Sequence, residues 1–435
     1  MQSQLAKLII YRKLIEDEVV SQIANAVLAI ENGDGLAVGM VNRLHAAMHH
    51  LVGFAVQYGL SGNLWHNYLT YLLIMDENIF SLDSERRQPK TSSINQLVRL
   101  DLEALYQIMN FDFARLLVQN WPDSWPIITD FSGPSAADPI SREFGSRIIS
   151  LSSQLSQSVS GEKMYDILTG DYARYGVGNF SLYNSYRLKS THHDFTLEPI
   201  TNVVPVTLDD LVGCDAQKRM LIDNTQAFIR GKRANNLLLY GDSGTGKSTC
   251  IKAIQNMYRN QGLVIIEINK HQLQFIPALI TQIKNRNYRF VIFMDDLSFD
   301  DSEADFKYLK ALIEGGIEAM PDNILVYATS NRRHLVRESW SDRQDASPEA
   351  DDIHHSDTAE EKISLFNRFG VTIRFNRPSM PEFIGIAIHL ARRYPEIMLS
   401  DAEITEQARQ WGLWHGNISG RRAQQFVNHL LGQIN

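Results

Sequence analysis

Apolar positions in the first 165 residues recur at three- and four-residue steps, the spacing that gives a helix one buried stripe. Leu8, Tyr11, Ile15, Val19, Ile23, Val27 and Ile30 keep this step, with Arg12, Lys13, Glu16, Asp17 and Glu18 between them. They predict one amphipathic helix, stopped at Asn32-Gly33-Asp34-Gly35, rather than a secretory signal. Val41, Leu44, Met48, Leu51, Ala55 and Tyr58 predict a second helix, ending at the Gly59/Gly62 break. Further helices are predicted over residues 94–119 and 141–159. Residues 169–196 are rich in Gly, Tyr, Ser and Asn with irregular aromatics, and read as a connecting loop. The next ten residues contain Pro199 and Pro205 and read as extended.

From Leu208 onward the pattern changes to short β-branched runs alternating with helices. Candidate strands are 236–240, 263–268, 290–294, 324–328 and 371–375. Helical stretches between them give the pattern of a doubly wound parallel sheet. After Arg377-Pro378 the strands stop and three helices follow, two of them opened by the capping boxes Ser379-x-x-Glu382 and Ser400-x-x-Glu403. The last begins around Ser419-Gly420-Arg421, with Phe426, Val427 and Leu430 on one face. The expected organisation is a helical domain over 1–165, a linker or extended segment over 166–205, an α/β core over 206–377 and a helical bundle over 378–435.

A chain of 435 residues has room for such a plan. Its net charge of −8 argues against a basic nucleic-acid binder. The two cysteines, Cys214 and Cys250, are distant in sequence and lack metal-ligand spacing, which fits a reducing, cytoplasmic setting. No apolar run approaches the ~18 residues of a membrane span.

Chemistry concentrates where the run 236–240 breaks into Gly241-Asp242-Ser243-Gly244-Thr245-Gly246-Lys247-Ser248-Thr249 and resumes as an apparent helix. The glycines allow successive N–H groups to point inward at phosphate oxygens, beside a helix N-terminus. Lys247 has the reach for β and γ phosphates, and the Ser248 hydroxyl for magnesium. Downstream, the apolar run 290–294 ends in Asp295-Asp296. Paired acids after a strand often only begin a surface loop. Following a phosphate loop, they are expected to orient Mg2+ (Asp295) and polarise water (Asp296). The run 324–328 ends in Thr329-Ser330-Asn331, where Asn331 is preferred to Thr329 as the contact to the γ phosphate or the lytic water.

With Leu208-Asp209-Asp210-Leu211-Val212-Gly213 before them, and Leu365-Phe366-Asn367-Arg368-Phe369-Gly370 and Ser419-Gly420-Arg421 after, these motifs stand in AAA+ order. The chain resembles AAA+ P-loop ATPases, and from about residue 197 onward it is similar to a bacterial ATP-binding family of unknown function. The resemblance is strong in the C-terminal half and weak in the N-terminal half. It implies an α/β P-loop NTPase core with a parallel sheet and a C-terminal helical lid, preceded by a mostly helical domain. It implies ATP with Mg2+, adenine contacts from Val212 and Gly213, a first sensor in Asn331, an arginine finger in Arg368 and a lid sensor in Arg421 rather than Arg422. Most AAA+ enzymes carry glutamate where this chain has Asp296, so slow turnover is expected.

Other signals are weaker. Asn269-Lys270-His271-Gln272 falls short of a guanine-reading motif, which disfavours GTP. His45 and His49 have ligand spacing without a partner acid, and read as a half-exposed helix face. The charged stretch 337–361 reads as an insertion, and Arg332-Arg333 and Arg392-Arg393 are too sparse for a DNA surface. The leading expectation is an oligomeric ATPase with a protein partner held by its helical half. The alternative is a slow nucleotide switch or loader, with a DNA-associated complex among its targets.

Overall fold

The computed structural model describes residues 1–34, 37–86, 93–117, 121–191, 194–298, 309, 313, 320–331, 368–416 and 418–434. Two compact units divide the chain, Met1–Tyr183 and Asn184–Asn435.

The first unit is helical. It comprises α1 (Gln2–Leu5), α2 (Glu18–Glu31), α3 (Val38–Tyr58), α4 (Leu64–Met75), α5 (Ile79–Glu85), α6 (Ser93–Met109), α7 (Ala114–Leu117), α8 (Trp125–Thr129), α9 (Pro139–Ser156) and α10 (Gly161–Tyr175). α3 ends as its sequence predicts, at a left-handed Gly59. The stretch expected to be one helix from Leu8 to Ile30 is broken, and the cause lies far away in sequence. The fully buried carboxylate of Asp101, on α6, accepts the backbone N–H groups of Ile9, Ile10 and Tyr11 at 3.0, 2.7 and 2.9 Å. Those amides are withdrawn from any helical ladder, and Asp17 then caps α2 by accepting from the Val20 N–H at 2.9 Å. Asp101→Ala leaves three amides without their acceptor. It is expected to destabilise this unit by about 3–5 kcal/mol, read as a lower urea midpoint of tryptophan fluorescence. The helix expected over 94–119 is likewise split, α6 ending at Met109 and α7 starting at Ala114.

The second unit is built on a seven-stranded sheet in the order β2-β1-β4-β5-β6-β3-β7. Its strands are β1 (Ser185–Ser190), β2 (Phe195–Pro199), β3 (Leu237–Gly241), β4 (Leu263–Ile268), β5 (Arg289–Met294), β6 (Ile324–Ser330) and β7 (Val371–Phe375). Only the β1–β2 pair is antiparallel. This hairpin corrects the reading of residues 169–196 as a loop and of 166–205 as a linker. Its first strand buries Tyr186 and Leu188 and pairs with β4, while α10 occupies the start of the span. The five strands expected from apolar runs are all present.

One face of the sheet, through Leu237, Leu239, Ile265, Val291, Phe293, Tyr327 and Ile373, packs on α11 (Asp215–Ile229) and α12 (Lys247–Tyr258). The alternate residues Val264, Ile266, Ile292 and Val326 are also buried, so the strands read as continuous apolar runs. α13 (Ile276–Ile283) lies between β4 and β5. The chain closes with α14 (Met380–Ala391), α15 (Asp401–His415) and α16 (Gly420–Gly432), packed around Phe383, Ile404, Phe426 and Val427. Both expected capping boxes form, at Ser379/Glu382 and Ser400/Glu403. The fold class is the expected one, a P-loop α/β core with C-terminal helices after a helical N-terminal region. The charged stretch 337–361, and Asp300, Asp301 and Glu303 as alternatives to Asp296 for the base, lie outside the described residues.

The strand order fixes where a ligand can sit. Leaving β3, the chain crosses to β4, returns through β5 and β6 to β3's side, and then places β7 on its other flank. The carboxyl end of β3 is therefore a topological switch point, where open α/β sheets leave a crevice.

Candidate nucleotide-binding site

The loop from Gly241 to Gly246 leaves β3 at that crevice and feeds α12. Gly241 has φ 132°, and a Cβ there would fall 1.9 Å from the Phe375 carbonyl oxygen. No side chain fits, because β7 passes directly alongside and its Phe375 carbonyl accepts the Asp242 N–H at 3.2 Å. Within the loop, Thr245 Oγ1 donates to the Asp242 carbonyl at 2.8 Å. Gly244, φ 76°, meets the C-terminal bundle: its carbonyl accepts the Arg421 N–H at 3.3 Å, and an added Cβ would touch Ser419. The Asp242 carboxylate pairs with the Arg377 guanidinium at 3.2 Å, tying the loop to the segment that joins β7 to α14.

Lys247 opens α12 and is buried. Its Nζ donates to the carbonyls of Gly241 and Asp242 at 2.9 and 2.7 Å and to Asn331 Oδ1 at 2.9 Å. Burial pushes its ammonium down from the usual lysine range and Arg421 adds to that, while Asp296, Asp242 and Asp295 oppose it. Ser248 Oγ donates to Asp295 Oδ1 at 2.5 Å. Asn331 Nδ2 donates to Asp296 Oδ1 at 2.6 Å. Five expected site residues from three chain segments are thus joined by hydrogen bonds at the carboxyl edge of the sheet: Lys247, Ser248, Asp295, Asp296 and Asn331. Asp295, Asp296 and Asn331 remain exposed, so the cluster opens to solvent.

The other expected residues stand as follows. Ser243 is exposed and Thr249 half-buried on the same loop and helix. Val212 and Gly213 lie just before α11, Val212 half-buried and Gly213 at φ 81°. The segment leading to them is held by an ion pair of Asp210 with Arg393, beyond the end of α14; burial pushes the Asp210 carboxyl up, but the Thr207 N–H it accepts and the Arg393 guanidinium outweigh this and draw it down. Arg421 brings its backbone to the loop, whereas the Arg422 guanidinium turns to Gln425 Oε1 at 2.8 Å. Arg368 is exposed and stands apart from the cluster. Val371 pairs with Leu237 and Phe375 with Gly241, so the residues before Val371 lie at the edge where the strands begin. His45 and His49 are exposed on α3. Cys214 and Cys250, remote in sequence, are both buried in the same apolar cluster against the sheet.

Sequence reasoning passed over Thr329 and Arg377. Thr329 Oγ1 donates to Asp295 Oδ1 at 2.6 Å and accepts the Asp296 N–H at 2.9 Å. The signal available was its place at the end of a strand adjacent to the one carrying the acids.

A family model described as "Protein of unknown function (DUF815)" matches residues 181–434, more than half the chain. The chain belongs to this family. The matched DUF815 region takes in the sheet, the phosphate loop and the C-terminal helices. No curated protein matches the chain. Among solved structures, a single-residue variant of Thermotoga maritima RuvB is 18% identical with a TM-score of 0.36, over 52% of this chain and 64% of that one. The Thermotoga maritima RuvB described as a Holliday junction branch migration motor is 16% identical with a TM-score of 0.32, over 52% of this chain and 72% of that one. This DUF815 chain therefore spans about two thirds of the RuvB chains it resembles. Among the described residues no helix is long and apolar enough to cross a membrane.

Proposed function

We propose that this chain binds Mg-ATP at the Lys247–Asp295 cluster and hydrolyses it to ADP and phosphate, driving rearrangement within a cytoplasmic homo-oligomer or a bound partner. The observation that carries this reading is the convergence of a lysine, a hydroxyl, two carboxylates and an amide on a glycine-rich loop at a helix N-terminus. The Ser248 hydroxyl and Asp295 carboxylate, hard oxygen donors 2.5 Å apart, suit magnesium by their chemistry. Bound there, magnesium would neutralise charge on the β and γ phosphate oxygens. The backbone N–H groups of residues 243–248 cradle the polyphosphate, Lys247 adds its ammonium, and Val212 and Gly213 border the base. Asp296 accepts a proton from the attacking water, with its carboxylate oriented by Asn331. Arg421 reaches the nucleotide from the C-terminal helices, and Arg368 acts on the nucleotide of a neighbouring copy. The helical first unit is the surface for a protein partner, and the net charge weighs against nucleic acid.

Asp296→Asn tests this reading. Calorimetry is expected to show Mg-ATP binding within a few-fold of wild type, while phosphate release falls by ~10²-fold or more. Failure of the wild-type protein to bind Mg-ATP at millimolar concentration sinks the proposal. The short side chain of Asp296, drawn toward Asn331 at 2.6 Å, favours a second reading in which ATP is held as a switch and cleaved slowly. A partner-independent turnover near the ~10 per second of a typical enzyme would eliminate that alternative.

A further inference from the structure

We infer that Thr329 is a positioning residue that sets both acidic side chains of the site through one hydroxyl, and so governs the response to magnesium. This rests on the Mg-ATP reading above and deepens it. Thr329 lies on β6 and is 1% exposed. Its single hydroxyl proton goes to Asp295 Oδ1 at 2.6 Å, and its oxygen accepts the Asp296 N–H at 2.9 Å. Its carbonyl accepts the Leu297 N–H at 2.7 Å, and the neighbouring Ser330 Oγ donates to the Leu297 carbonyl at 2.8 Å. The acidic turn is therefore docked onto β6 residue by residue.

The docking has a conformational consequence. Among the described residues, Asp296 is the one non-glycine with positive φ, at 52°. Aspartate enters that left-handed region more readily than most residues, and glutamate lacks its short local hydrogen-bonding reach. Holding the Asp296 N–H on Thr329 fixes this turn and delivers the Asp296 carboxylate to Asn331 Nδ2. A closed circuit results. It runs from Lys247 through Asn331 and Asp296 to Thr329, then through Asp295 to Ser248, the residue beside Lys247. Thr329 is the member that touches both acids. Partners of this kind, one shell behind a metal-facing carboxylate, typically carry 10–100-fold in metal affinity or activity.

Thr329→Val keeps the shape and removes the hydroxyl, while Thr329→Ser keeps the hydroxyl. Thr329→Val is expected to raise the Mg2+ concentration for half-maximal phosphate release at saturating ATP by ~10-fold, and to lower kcat by ~10-fold or more. Binding of ADP in EDTA is expected to stay within about threefold, and amide exchange over residues 295–297 to accelerate. Thr329→Ser is expected to restore the magnesium response, kcat and exchange to near wild type. Wild-type magnesium dependence in Thr329→Val would overturn the inference while leaving the ATPase reading intact. So would a defect in Thr329→Ser as large as in Thr329→Val or, if the valine variant does not fold, a magnesium requirement in Thr329→Ser raised by ~10-fold. A wild-type protein that ignores Mg-ATP altogether defeats both.

Discussion

Lys247→Ala is expected to reduce Mg-ATP turnover by ~10²–10³-fold and to weaken binding of ATP more than of ADP. The ammonium is bound to two loop carbonyls and to Asn331. When a triphosphate enters, the same group has the reach to exchange those neutral acceptors for phosphate oxygens, which are stronger partners for a cation. Alanine removes that exchange. The folded protein without nucleotide should be little affected, because burial already works against the charge, as the downward shift of the Lys247 ammonium reflects. Two measurements separate chemistry from folding. Phosphate release should collapse, and the thermal midpoint without nucleotide should stay within a few degrees of wild type. Only the wild-type midpoint should rise when Mg-ATP is added. Equal Mg-ATP stabilisation of both proteins would mean that the ligand binds elsewhere.

Much of the second unit was legible because its signals are local. Buried parallel strands leave continuous apolar runs, and β4 and β7 occupy the residues those runs predicted. The serine–glutamate boxes report helix starts through contacts three residues apart. Lys247 and Ser248 are legible from spacing for the same reason. What failed depends on partners remote in the chain. Nothing near Ile9 announces that Asp101 will take its amide, so the helical period of residues 8–30 pointed to one element where there are two, a 3-10 turn over Arg12–Ile15 and then α2. Tyr186 and Leu188 are the only apolar side chains β1 buries, too short an alternation to stand out among glycines and serines. α4 gave no period because it is apolar on nearly every side. Thr329 was ranked below Asn331. Its significance comes from pairing across β5 and β6, where Met294 opposite Ala328 brings the next residues of both strands together. Arg377 likewise gains meaning only once β7 is laid against the phosphate loop.

Arg368→Ala is expected to lower turnover by ~10³-fold or more while leaving Mg-ATP binding nearly unchanged. The argument is one of distance. β7 runs parallel to β3, with Val371 opposite Leu237 and Phe375 opposite Gly241, where the phosphate loop starts. Four strand steps put roughly 13 Å between Val371 and the loop, and Arg368 lies further back still. An arginine at that edge is badly placed for its own chain's nucleotide and well placed to reach a neighbour's, provided copies assemble with opposite edges facing. Complementation tests this directly. Lys247→Ala subunits keep Arg368 but handle nucleotide poorly, and Arg368→Ala subunits bind nucleotide but lack the guanidinium. Each alone should be nearly inactive, and mixing them should recover measurable phosphate release, because some sites then combine an intact Lys247 with an intact Arg368 from the adjacent copy. Wild-type specific activity should also rise with protein concentration over the range in which sedimentation shows assembly. Full activity in Arg368→Ala, or co-assembly of the two variants without recovery, would exclude a site shared between subunits.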